Sequence, residues 1–116
     1  MKNLTTKAIL TATGALIVLG GGLSSASAYT SYLADSAGRA DVSSTRTSYS
    51  VKDTKGDGNR VYGDFWLNTG AKRQLVTKAY NQTVSQKLSG SEKVASFRAC
   101  LDRPVEFDTC AKRQYI

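Results

Sequence analysis

From Thr47 onward the chain runs no more than about ten residues between turn signals, and apolar and polar residues alternate in the runs between them. A period of two sends successive side chains to opposite faces of an extended strand. A chain written this way is expected to fold as paired strands. Residues 47–53 place Tyr49 and Val51 on one face. Lys55-Gly56-Asp57-Gly58-Asn59 then supplies residue types that tolerate positive φ, which predicts a tight reversal. Residues 60–67 alternate again. Val61, Gly63, Phe65 and Leu67 share one face, and Tyr62, Asp64 and Trp66 share the other, so these two runs are expected to pair as a hairpin. Turns at 68–70, 80–82 and 89–91 separate further runs at 73–79, 83–88 and 93–101, the last with Ala95, Phe97, Ala99 and Leu101 on one face. Residues 110–116 can return as a closing strand. A helix over residues 71–82 competes with the strand reading there, because Lys72, Arg73, Gln74, Leu75 and Lys78 are good helix formers. The expected fold class is all-β: a small antiparallel β-sandwich of about six strands, spanning residues 47–116.

The N-terminus has a different grammar. Lys2 and Lys7 supply positive charge, residues 8–23 carry none, and Ala15-Leu16-Ile17-Val18-Leu19 is strongly apolar. Ala26-Ser27-Ala28 then places small side chains where a signal peptidase requires them, so residues 1–28 read as a cleavable export signal. The apolar run is shorter than the ~20 residues of a membrane span and is broken by Gly20-Gly21-Gly22, so no transmembrane anchor is expected after cleavage. The expected location is therefore secreted and extracellular. Residues 29–46, rich in Ser, Thr and Ala, are expected to form a flexible N-terminal arm.

Cleavage takes Lys2 and Lys7 and lowers the net charge from +7 to +5, leaving 88 of the 116 residues, room for one basic domain. Cys100 and Cys110 are the only cysteines. In an oxidising compartment they are expected to form one structural disulfide, worth about 2.5–3 kcal/mol on the chain-entropy model. The chain has no His, so a Ser or Cys nucleophile lacks its usual base. No Gly-rich phosphate loop leads into a helix. An enzyme is not expected, and neither is a bound cofactor.

Three constellations carry candidate chemistry. Asp53, Asp57 and Asp64 fall at positions 1, 5 and 12 of a calcium loop, with Gly58 at the sharp turn. Lys55 stands where an oxygen ligand belongs, however, so the competing reading is that these acids cap backbone amides. Any Ca²⁺ site would be one of low affinity. Tyr62, Asp64 and Trp66, if they face outward, offer an aromatic ring beside a carboxylate, as a sugar site requires. The alternative puts Trp66 under the N-terminal arm or in the core. Lys72, Arg73, Lys78, Lys87, Arg98, Lys112 and Arg113, with Tyr80 and Tyr115 nearby, make a basic, Tyr-rich surface. That surface is either merely solvated or suited to an anionic cell-envelope polymer; nucleic acid is not an expected partner outside the cell.

Val51-x-Asp53, Asp57-Gly58, the aromatic strand ending at Trp66, Ala99-Cys100-Leu101-Asp102 and Asp108-Thr109-Cys110 together resemble small secreted proteins of actinobacteria such as Streptomyces. The likeness covers residues 49–110. It implies an exported single-domain β-sandwich with one disulfide, and it carries no functional residue over. The functional expectation is a secreted, non-enzymatic binding or structural module that contacts proteins or the cell envelope. The alternatives are an inhibitor of an extracellular hydrolase, presenting the disulfide loop at 101–109 as a constrained element, and a calcium- or carbohydrate-binding module.

Overall fold

The computed structural model describes residues 27–116. The expected export signal therefore lies outside the described residues, except for Ser27 and Ala28, which open the first strand. The strands are β1 (Ser27–Tyr32), β2 (Gly38–Ser43), β3 (Ser48–Asp53), β4 (Arg60–Leu67), β5 (Lys72–Val76), β6 (Thr83–Lys87), β7 (Val94–Asp102), β8 (Thr109–Cys110) and β9 (Gln114–Tyr115). One 3₁₀ turn, Ala34–Ser36, lies between β1 and β2. The fold is all-β, with two antiparallel sheets. The first has the order β1-β2-β3-β6. The second has the order β5-β4-β7-β8, with β9 also on β7.

Three expectations are corrected. The described residues form nine strands, not about six. Residues 29–46 are no loose arm, since they contribute most of β1 and all of β2. Leu33, Ala40 and Val42 are buried there, and Asp41 accepts hydrogen bonds from Thr30 Oγ1 at 2.8 Å and Arg39 Nε at 2.9 Å. Small and polar residues do the work that a run of large apolar ones does elsewhere, so the composition looks disordered when the chain is not. Finally, β3 and β4 are not a hairpin. β3 pairs with β2 and β6, while β4 pairs with β5 and β7. The link between them is tied back at Thr54, whose hydroxyl donates to the Ser36 carbonyl at 2.6 Å and whose N–H donates to Ala37 at 3.3 Å. It therefore carries the chain from one sheet to the other.

That crossing brings the two apolar faces together. Tyr49 of β3 meets Phe65 of β4 with ring centroids 4.4 Å apart, and Phe65 stacks on Phe97 of β7 at 6.1 Å. Gly63 makes room for this packing, because a Cβ there would lie 2.7 Å from both the Phe65 ring and Val51. The sheets are also stitched at one side, where the Ala99 N–H donates to Ser31 Oγ at 3.0 Å and Gln114 Nε2 donates to the Thr30 carbonyl at 2.9 Å. Over residues 71–82 the strand β5 forms, not the helix. Its outer edge and β6 bound an open cleft lined by Tyr49, Arg73, Leu75 and Leu88.

Candidate functional site

The face of β4 that turns away from the core carries Tyr62, Asp64 and Trp66, as the alternation predicted. The register places Val76, Gln74 and Lys72 of β5 beside them on one flank and Cys100, Arg98 and Ser96 of β7 on the other. Trp66 is neither in the core nor under β1. It is half-buried on the outer face of the five-stranded sheet, and cations cover it. The Arg113 guanidinium carbon sits 3.7 Å from the ring centroid, Lys72 Nζ at 5.4 Å and the Arg98 guanidinium carbon at 5.5 Å. At 3.7 Å the guanidinium occupies the ring face that a stacked sugar would need.

Asp64 is almost wholly buried, and its carboxylate is fully engaged. It accepts from Gln74 Nε2 at 2.9 Å and Arg98 Nε at 3.1 Å, with Lys72 Nζ at 3.6 Å. A buried carboxylate requires such partners, since an unpaired charge there is strongly unfavourable. Asp53 and Asp57 do what turn acids do: their Oδ1 atoms accept from the backbone N–H of Lys55 at 3.1 Å and of Asn59 at 3.0 Å. The three acids of the calcium pattern are thus committed separately. Among the described residues no three His, Cys, Asp or Glu side chains come together to hold a metal.

Tyr62 points into a second feature, the loop closed by the disulfide. Cys100 of β7 stands opposite Cys110 of β8, with their Cα atoms 4.0 Å apart. Within the loop, Arg103 acts as an internal strut. Its N–H donates to Asp108 Oδ1 at 3.2 Å, its Nη1 donates to Thr109 Oγ1 at 3.0 Å, and its Nη2 pairs with Glu106 at 2.7 Å. Tyr62 Oη anchors the loop to the sheet by donating to Asp108 Oδ2 at 2.7 Å, and at the loop's base Arg60 of β4 pairs with Asp102 at the end of β7 at 2.7 Å. At the tip, Val105 is 95% exposed and Phe107 96% exposed. Sequence reasoning singled out the loop but missed these two side chains. The available signal was an apolar pair at spacing two inside a short, otherwise charged loop.

Burial, and then the hydrogen bond it gives Asp108, push the Tyr62 phenol up to about 12 from the usual 10.0. The bonds from Tyr62 and the Arg103 N–H hold Asp108 below the ordinary carboxylate value. A phenol raised in the folded state stabilises fully below pH 10, and that contribution is lost as pH climbs from 10 toward 12. Asp108 works in the opposite sense: its contribution is present above its unfolded pKa and disappears in acid, as pH falls through its depressed value. The clamp is therefore intact at neutral pH. Thermal melts are expected to show a smaller loss of stability between pH 10 and pH 12 in Tyr62→Phe than in the native chain, with buried Tyr49 supplying part of what remains. Equal losses in the two proteins would remove Tyr62 from the clamp.

Compared with protein-family models, with curated proteins and with solved structures, the chain matches none.

Proposed function

We propose that this chain is an exported, non-catalytic binding module that contacts another protein of the cell exterior through its disulfide loop. The observation that carries the reading is the state of Val105 and Phe107, fully exposed on a loop closed by the disulfide and braced within by the bonds of Arg103 to Asp108 and Thr109. Leaving a Phe or Val side chain in water forgoes about 1.5–3 kcal/mol of burial. An ordered loop that forgoes it twice is suited to recover it against a partner. Ordering the loop beforehand also reduces the entropy lost on binding.

The loop's charge narrows the partner. Glu106 and Asp108 against Arg103 leave the residues between β7 and β8 at net −1 on a chain that is otherwise basic, with Asp102 of β7 paired to Arg60. An anionic bilayer repels such a loop, whereas an apolar pocket rimmed by Lys or Arg accepts it. Inhibition of an extracellular hydrolase is the narrower form of this reading, with the projecting loop seated in a cleft. Export is supported by the charge, apolar run and Ala26-x-Ala28 pattern of residues 1–28.

A photo-crosslinking residue placed at Glu106 tests the proposal while keeping both apolar side chains. Glu106 is exposed, and its ion pair with Arg103 contributes little to stability. Irradiated in the medium of the producing cells, the chain is expected to give a discrete heavier adduct. The adduct should vanish when Val105→Ser and Phe107→Ser are added. An adduct that survives both substitutions, or no adduct at all, overturns the reading.

A further inference from the structure

We infer that the outer face of the five-stranded sheet holds an oxyanion site centred on Arg113, which takes the phosphate or carboxylate groups of an anionic polymer. The site is separate from the disulfide loop and does not depend on the loop having a protein partner.

The register builds the site. Lys72 of β5, Trp66 of β4, Ser96 of β7 and Tyr115 of β9 are successive cross-strand neighbours, which makes one row across the sheet. Arg113, just before β9, lies over that row. Its guanidinium stacks on Trp66 at 3.7 Å, stands 5.0 Å from the Tyr115 ring centroid, and donates through Nε to Ser96 Oγ at 2.9 Å. A flexible side chain is thus fixed by two aromatic rings and a hydroxyl before any ligand arrives. Arginine held in this way loses less freedom when its planar fork meets an oxyanion.

The charge balance of the face points to an anion. Lys72, Arg98 and Arg113 surround Trp66, and the one carboxylate among them, Asp64, is engaged by Lys72, Arg98 and Gln74. Among the described residues no carboxylate pairs with Arg113, and its Nη groups make no hydrogen bond. The face therefore has two positive charges beyond its acid. If Arg113 served only to cover Trp66, an apolar side chain would do so without stranding a cation. Tyr115, 75% exposed beside the guanidinium, gives the repeat unit of a polymer an apolar surface to rest on.

Trp66 is the only tryptophan in the chain, so its fluorescence reports from the site itself. The full chain is titrated with inorganic phosphate, with long-chain polyphosphate and with poly-L-glutamate, and the affinity is read from the midpoint. A polymer is expected to produce a saturable change that weakens with salt, because screening reduces the attraction of exposed charges. Inorganic phosphate is expected to bind more weakly than the polymer. Saturation by polyphosphate alone identifies phosphate as the bound group, and saturation by poly-L-glutamate as well admits carboxylate; either supports the site. Arg113→Gln is expected to weaken polymer binding about tenfold or more, and Arg113→Lys to fall between, since a lysine keeps the charge and loses the stacked fork. Lys87→Gln, which removes one charge from β6 of the other sheet, should change the midpoint less than about twofold. No saturable change with either polymer, or equal weakening by Lys87→Gln and Arg113→Gln, overturns the site.

Discussion

Phe65→Ala is expected to remove about 3–5 kcal/mol of stability, the range for truncating a fully buried aromatic. Phe65 has no solvent exposure, and its ring is the point where the sheets meet, with Tyr49 from one sheet at 4.4 Å and Phe97 of its own sheet at 6.1 Å. Gly63, on the same face, has no side chain with which to fill the gap. A cavity therefore remains at the centre of the core. A domain of this size has roughly 5–13 kcal/mol in all, so the variant stands near the edge of folding. Urea denaturation followed by far-ultraviolet dichroism measures the loss, and Val105→Ser, at an exposed position, should shift the midpoint hardly at all. A loss below about 1.5 kcal/mol for Phe65→Ala would mean that the sheets do not pack through this ring.

The alternation in β4 was legible because three of its four core-facing positions, Val61, Phe65 and Leu67, carry large apolar side chains. The disulfide was legible because two cysteines allow only one pairing. Strands β1 and β2 were not legible, since much of what they bury is Ser31, Ala40, Asp41 and Ser43. Buried polar residues declare themselves through hydrogen bonds, which a hydropathy pattern does not register. The Asp57-Gly58 turn signalled a change of direction correctly, but a local turn signal does not say whether the next strand joins the same sheet or the facing one. Whether those strands bury their apolar faces side by side or against each other is decided by long-range packing. The candidate sites followed the same division. The outward face of Tyr62, Asp64 and Trp66 came from strand period alone. The stacking of Arg113 on Trp66 depends on β9 pairing with β7, a contact between segments far apart in the chain.

Replacing Cys100 and Cys110 together by Ala is expected to cost about 2.5–3 kcal/mol, from the entropy that a bridge of separation 10 removes from the unfolded chain. Alanine is the suitable replacement because Cys100 is fully buried, and a serine hydroxyl there would add its own desolvation cost. The core of Tyr49, Val51, Val61, Phe65 and Phe97 does not touch the bridge's function, so the variant should remain folded with a lower midpoint. Its larger effect should fall on the loop. Arg103, Glu106 and Asp108 make bonds that are exposed, and exposed ion pairs contribute about 0–1 kcal/mol each. Those bonds alone are too weak to keep Val105 and Phe107 presented in one arrangement.

Backbone ¹⁵N relaxation across residues 103–109 of the oxidised chain tests most directly whether the loop is ordered before it meets a partner. The account predicts order parameters near the rigid-backbone value of about 0.85 in the native chain, falling below about 0.6 in the double-alanine variant while β4 and β7 stay rigid. Values below about 0.6 at Val105 and Phe107 with the disulfide intact would contradict it.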